Sequence, residues 1–132
     1  MSKSPLPDWI ARAREAQSKA YAPYSNFAVG SVLVTHDGTL HAGCNVENVS
    51  FGATICAERN ALGAAILAGA REFQAVVVVT NAPRPVYPCG ICRQMLAEFG
   101  TSLQVHVVYG DDQYEQTTLD QLLPKAFGVG DI

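Results

Sequence analysis

Charge is scarce in this chain: Asp, Glu, Lys and Arg make up only 16% of its 132 residues. Twelve acidic residues outnumber nine basic ones, the formal net charge is −3, and Lys and Arg are scattered. A protein that grips a polynucleotide gathers basic residues into a stripe that neutralises phosphates. That stripe is missing, so no nucleic-acid partner is expected, and the substrate should be small and need not carry phosphate. Long apolar runs are missing too. Nothing approaches the roughly 18 residues of a membrane span, so no membrane partner is expected either. The start, Met1 to Trp9, has no apolar leader core, which gives the expectation of a cytoplasmic chain with reduced thiols. No repeat, linker or low-complexity stretch divides it, so residues 1–132 are expected to form a single domain. What is abundant is apolar: 48% of the residues are hydrophobic, enough to bury a core.

The pattern along the chain alternates between helix and strand periods. Pro7-Asp8 opens a helix expected to run to about Ala20, with Trp9, Ile10, Ala13 and Ala16 on one side. Val29 to Thr35 is β-rich, Asp37-Gly38 predicts a two-residue hairpin turn, and Thr39 to Glu47 is the return strand. On that strand Leu40, Ala42, Cys44 and Val46 share one face, and His41, Gly43, Asn45 and Glu47 the other. A second helix is expected from about Cys56 to Gly69, buried nearly all round by its alanines, and a strand over Ala75–Val79. A third helix should open near Gly90 and carry Met95, Leu96 and Phe99 inward. A strand Leu103–Tyr109, a solvated turn at Asp111-Asp112, an edge strand near Tyr114–Thr118 and a short helix from Leu119 complete the reading. Strand–helix alternation implies right-handed crossovers with helices on both sheet faces. The fold class is therefore α/β, a three-layer α/β/α sandwich on a mixed five-stranded sheet.

Three of the four cysteines stand at helix starts. Cys56 opens one helix, and Cys89 and Cys92, in Pro-Cys-Gly-Ile-Cys, open another. Both helices follow strands, so both N-termini should meet at the carboxyl edge of the sheet, where α/β folds place their sites. Helix dipoles and free N–H groups favour thiolates there. Three thiolates around one Zn²⁺ leave a fourth position for water, the layout of a catalytic zinc. Glu58, two residues after Cys56, can reach that water as the proton carrier. Arg59 can lie beside the Cys56 thiolate and offset its charge. A Cys-x-x-Cys alone would serve equally as a redox pair, and Cys44 could complete a structural four-cysteine site. The Cys-x-Glu and Pro-Cys-x-x-Cys segments together form the zinc deaminase signature. Cys44 points away from the Asn45–Glu47 face and is expected in the core.

These segments carry a resemblance. Ser25-Asn26-Phe27-Ala28-Val29-Gly30, Asn45-Val46-Glu47-Asn48, Cys56-Ala57-Glu58-Arg59 and Pro88-Cys89-Gly90-Ile91-Cys92-Arg93-Gln94 resemble, in order and spacing, the small cytidine deaminases. The resemblance spans about residue 8 to Phe127. It implies a cytidine deaminase fold, a homotetramer with one zinc per subunit, and cytidine and deoxycytidine as nucleoside substrates. It also implies substrate contacts. Asn45 and Glu47 take the ribose at its 3′-hydroxyl, Phe27 lies over the pyrimidine, and the backbone near Ala57 and Pro88 holds the base edge. Phe51 and Phe127 reach into a neighbouring subunit's site. The family often has tyrosine where Phe51 stands, so that hydroxyl is gone here. His36, His41 and His106 have no partner at ligand spacing and are assigned no metal.

Overall fold

The computed structural model describes residues 4–132; the first three residues of the expected 1–132 unit, and of the start read as leaderless, lie outside them. The described residues form five strands, β1 Gly30–Thr35, β2 Leu40–Cys44, β3 Phe73–Val79, β4 Gln104–Tyr109 and β5 Gln113–Thr118. They form one sheet in the order β2-β1-β3-β4-β5. The β3–β4 pair is parallel and the other three are antiparallel. Because β1 runs against both neighbours, β2, β3 and β4 point the same way. Helices α2 Ala57–Leu67 and α3 Gly90–Ala97 are therefore parallel crossovers.

Period-two alternation sends the strand side chains to two cores. Leu33, Val76, Val78, Val105 and Val107 pack with Ala61, Leu62 and Ala65 of α2 and Leu96 of α3. The other residues, Val32, Val34, Ala75, Val77, Val79 and Val108, meet Trp9 and Ala13 of α1, Leu6–Gln17. A short α4, Leu119–Leu122, closes the first layer. This is the expected three-layer α/β/α sandwich with a mixed five-stranded sheet.

Several boundaries differ from the sequence reading. Helix α1 stops at Gln17 rather than about Ala20, because Tyr21 must turn back to pair with Val46. The hairpin loop holds three residues: Thr35 N–H bonds the Thr39 carbonyl, and Gly38 sits at φ 88 with its N–H on the Thr35 carbonyl. The return strand ends at Cys44, after which Val46 exchanges hydrogen bonds with Ile55 and the segment stays extended. Helix α2 is buried on one face only, since Leu67 is 89% exposed. On α3, Leu96 points inward but Met95 is exposed. The Asp111-Asp112 turn is anchored as well as solvated: Asp112 takes an ion pair from Arg14 Nη2 at 3.0 Å.

Candidate metal centre and substrate cavity

Cys56 and Cys89 occupy equivalent positions. Each is an N-cap with extended backbone, Cys56 on α2 and Cys89 on α3, and Cys92 lies in the first turn of α3. Their sulfurs converge: Cys56 Sγ to Cys89 Sγ is 3.7 Å and Cys89 Sγ to Cys92 Sγ is 3.5 Å. All three lie within 4.8 Å of one another, and theirs is the single such cluster among the described residues. Tetrahedral zinc with Zn–S near 2.3 Å sets sulfurs about 3.8 Å apart, so the spacing fits that ion and leaves one position for water. Cys44 stands outside the cluster, so the four-cysteine site does not form. No histidine joins it either.

The electrostatics favour a cation. The Cys92 thiol, through a hydrogen bond, holds the Cys56 thiol down at about 5 against its burial; Arg59 and Cys89 act in the same direction. The hydrogen bond to Cys56, then burial and the charges of Glu58 and Cys56, push Cys92 upward. One negative charge is therefore easily held by the cluster and a second is resisted until a cation joins it. Arg59 Nη2 lies 3.8 Å from Cys56 Sγ and donates to the Thr54 carbonyl at 2.9 Å. Its Nε is buried with no partner among the described residues. Glu58, in the first turn of α2, is buried; burial pushes its carboxyl up to about 7, and the Cys56 charge adds to that.

The cluster opens into a cavity of about 180 Å³. Cys56, Cys89, Glu58 and Asn45 line it together with Phe27, Val29, Val78, Val86 and Tyr87, and with Ala57 and Thr54. Asn45 is buried, with Oδ1 accepting the Val29 N–H and Nδ2 donating to the Phe27 carbonyl, both at 2.8 Å. Glu47 sits next door in a second cavity of about 370 Å³ that shares Thr54 and is bounded by Tyr24, Ser25 and Phe51.

Comparison with known proteins gives the family. Residues 4–109 match the cytidine and deoxycytidylate deaminase zinc-binding region. The chain belongs to the cytidine deaminase family. A cytidine deaminase of Sporosarcina psychrophila is 44% identical over 124 residues, covering 93% of this chain and 91% of that one. The crystal structure of a Burkholderia pseudomallei cytidine deaminase superposes with TM-score 0.88 at 45% identity, over 96% of this chain and all of that one. That of Mycobacterium tuberculosis gives 0.81 at 37% identity, over 96% and 100%. The metal of this deaminase is zinc, and Cys56, Cys89 and Cys92 are positioned to hold it.

The remaining sequence-predicted residues of the deaminase fall in two groups. Phe27, Asn45, Ala57 and Glu58 share the cavity with the cysteines, and Glu47 is beside it. Phe51 is 73% exposed, packed on Tyr24 at 5.9 Å between ring centroids. Phe127 is 61% exposed, its carbonyl taking a bond from Gln94 Nε2 at 3.0 Å. Neither aromatic lines the cysteine cavity of its own chain. Sequence reasoning passed over Thr54, Val86 and Tyr87, which have no local signature. Tyr87 is set by its hydroxyl on Glu115 Oε1 of β5 at 2.5 Å, a pairing no sequence pattern announces. Arg93 lay in the motif without a role; its Nε donates to the Pro88 carbonyl at 2.6 Å and its Nη1 to the Leu122 carbonyl at 2.8 Å, fixing the peptide before Cys89.

Proposed function

We propose that the chain hydrolyses cytidine and deoxycytidine to uridine and deoxyuridine with release of ammonia, a step of pyrimidine salvage. One observation carries this reading: a three-cysteine zinc site and a buried Glu58 open on the same small cavity as Phe27 and Asn45. When bound, zinc supplies a Lewis acid that acidifies water at neutral pH. Phe27 takes the face of the pyrimidine, and Asn45 and Glu47 take the sugar hydroxyls. The backbone near Ala57 and Pro88 holds the base edge. Glu58 accepts the proton of the attacking water and delivers it to N3, which makes C4 electrophilic. The same carboxyl carries the second proton to the amino group, and ammonia leaves. Arg59 offsets the thiolate charge at Cys56.

The active unit in this reading is a cytoplasmic homotetramer with one zinc per subunit. The exposed Phe51 and Phe127 then close the cavity of a neighbouring copy. Their exposure and the apolar surface at Leu67, Ile91 and Met95 support it. The deciding test is zinc content of the purified protein together with the absorbance change on adding cytidine. About one zinc per chain with conversion to uridine is expected; zinc without turnover of either nucleoside overturns the reading. Glu58→Gln should keep its zinc and fold while deamination falls by about 10²–10⁴-fold, and near-wild-type turnover removes Glu58 from its role.

A further inference from the structure

Ser25 stands in the motif before Phe27 and is assigned nothing by the mechanism above. Its hydroxyl donates to Glu47 Oε2 and accepts the Phe27 N–H at 2.9 Å. Glu47 Oε1 takes the Tyr24 N–H at 2.9 Å and the Ser25 N–H at 3.1 Å. A carboxylate offers about four acceptor sites. Three are filled by this loop, so one is left for a substrate hydroxyl, in a direction the other three determine. Asn45 Nδ2 holds the Phe27 carbonyl. The backbone of Phe27 is therefore gripped at its N–H through Ser25 and at its C=O by Asn45, and both grips end on the two residues proposed for the ribose. The ring that meets the base and the groups that meet the sugar are set by one connected network of hydrogen bonds.

We propose that Ser25 is a positioning residue for sugar recognition: by bridging the Glu47 carboxylate to the Phe27 backbone, it aims the free acceptor of Glu47 at the nucleoside's 3′-hydroxyl and sets the Phe27 ring over the base. This rests on the function proposed above. Without the bridge, Glu47 Oε2 is free to rotate toward water and the Phe27 N–H loses its acceptor, so the 3′-hydroxyl meets a carboxylate that is present but no longer aimed.

The test compares cytidine with 3′-deoxycytidine on zinc-loaded wild type, Ser25→Ala, Ser25→Thr, Ser25→Cys and Glu47→Gln. In Ser25→Ala, KM for cytidine should rise about tenfold, the scale of one lost charge-assisted hydrogen bond. Its kcat should stay within about twofold, because no group that moves a proton is touched. The KM ratio between the two substrates should shrink toward that of Glu47→Gln. Ser25→Thr, which keeps the hydroxyl, should restore the ratio, and Ser25→Cys, a weak donor of similar size, should fall between. A wild-type ratio in Ser25→Ala, with the ratio collapsed in Glu47→Gln, overturns the role of Ser25 alone. An unchanged ratio in Glu47→Gln overturns the ribose role of Glu47 and this inference with it. A fall of kcat and melting temperature together, unrescued by threonine, makes Ser25 merely structural and overturns the proposal.

Discussion

The amide of Asn45 is engaged at both ends before any substrate arrives. It holds the Val29 N–H and the Phe27 carbonyl, and it is buried. Removing it strands a backbone donor and an acceptor where water has little access, a loss of about 1–3 kcal/mol. Asn45→Ala should therefore lower stability in a urea titration by roughly that amount and raise KM for cytidine, because the Phe27 loop is released along with the proposed sugar contact. An unchanged denaturation midpoint would show that the loop does not depend on this amide. Asn45 was legible as a polar residue on a strand face, and its place beside the thiols could be guessed from the resemblance. Its grip on residues 27 and 29 could not, because those partners lie across a loop whose path no local pattern dictates.

At the scale of elements, the catalytic geometry depends on how closely α2 lies on β2. Gly43 makes that possible: a Cβ there would come within 2.3 Å of Ala61 N and 2.5 Å of the Ala57 carbonyl, both backbone atoms. Gly30 plays the same part under α1, where a Cβ would meet the Ala13 carbonyl at 2.0 Å. Backbone cannot swing aside as a side chain can, so Gly43→Ala should push α2 outward and cost about 1–3 kcal/mol or more. The shift moves Cys56 relative to Cys89, so zinc affinity should fall with stability, checked by competition with a metallochromic chelator. Normal affinity in a folded Gly43→Ala protein would show that the helix start is not set by this contact. The helices and strands themselves were readable from period and composition. The errors gather at their ends. Helix α1 yields early to the Tyr21–Val46 pairing, and the hairpin takes a third residue because only Gly38 of the Asp37-Gly38 pair has a positive φ, where a two-residue type I′ turn needs two. The outer face of α2 stays exposed because nothing among the described residues covers Leu67.

In the molecule as a whole, the metal ties two crossover helices that otherwise touch little, since the thiols come from α2 and α3. A ligand that binds only the folded state stabilises it by mass action. Treatment with a strong chelator should lower the melting temperature and readdition of zinc should restore it; a melting temperature indifferent to both would mean the fold does not use the ion. A second dependence lies far from the metal. His106 takes a core position on the α1 face of β4, edge-on to Trp9 at 5.8 Å, with Nδ1 2.6 Å from the Tyr114 hydroxyl and Nε2 3.0 Å from Gln104 Oε1. Burial lowers its pKa below the ordinary value of 6.5. The unfolded chain therefore binds a proton that the folded chain refuses. Stability from this group is full above about pH 6.5 and is lost as pH falls below it, by at most about 1.4 kcal/mol per pH unit. His106→Gln should flatten the decline in melting temperature between about pH 6.5 and 5. An equal decline in the variant would assign the loss to other groups.

The sequence by itself determined the reaction chemistry and the layers. Cysteines at two helix starts, a glutamate two residues after one of them, and strands alternating with helices are local patterns, and each is set by neighbours a few positions away. Only the tertiary structure decided which of those patterns meet. Cys56 reaches Cys89 because β2 and β3 run parallel on either side of β1 and so deliver α2 and α3 to one sheet edge. The Phe27 loop is held by Asn45, just past the end of β2, and Tyr87 by a carboxylate on β5. Such contacts are set by chain topology and by packing between backbones, and those are properties of the whole fold that no window of sequence contains.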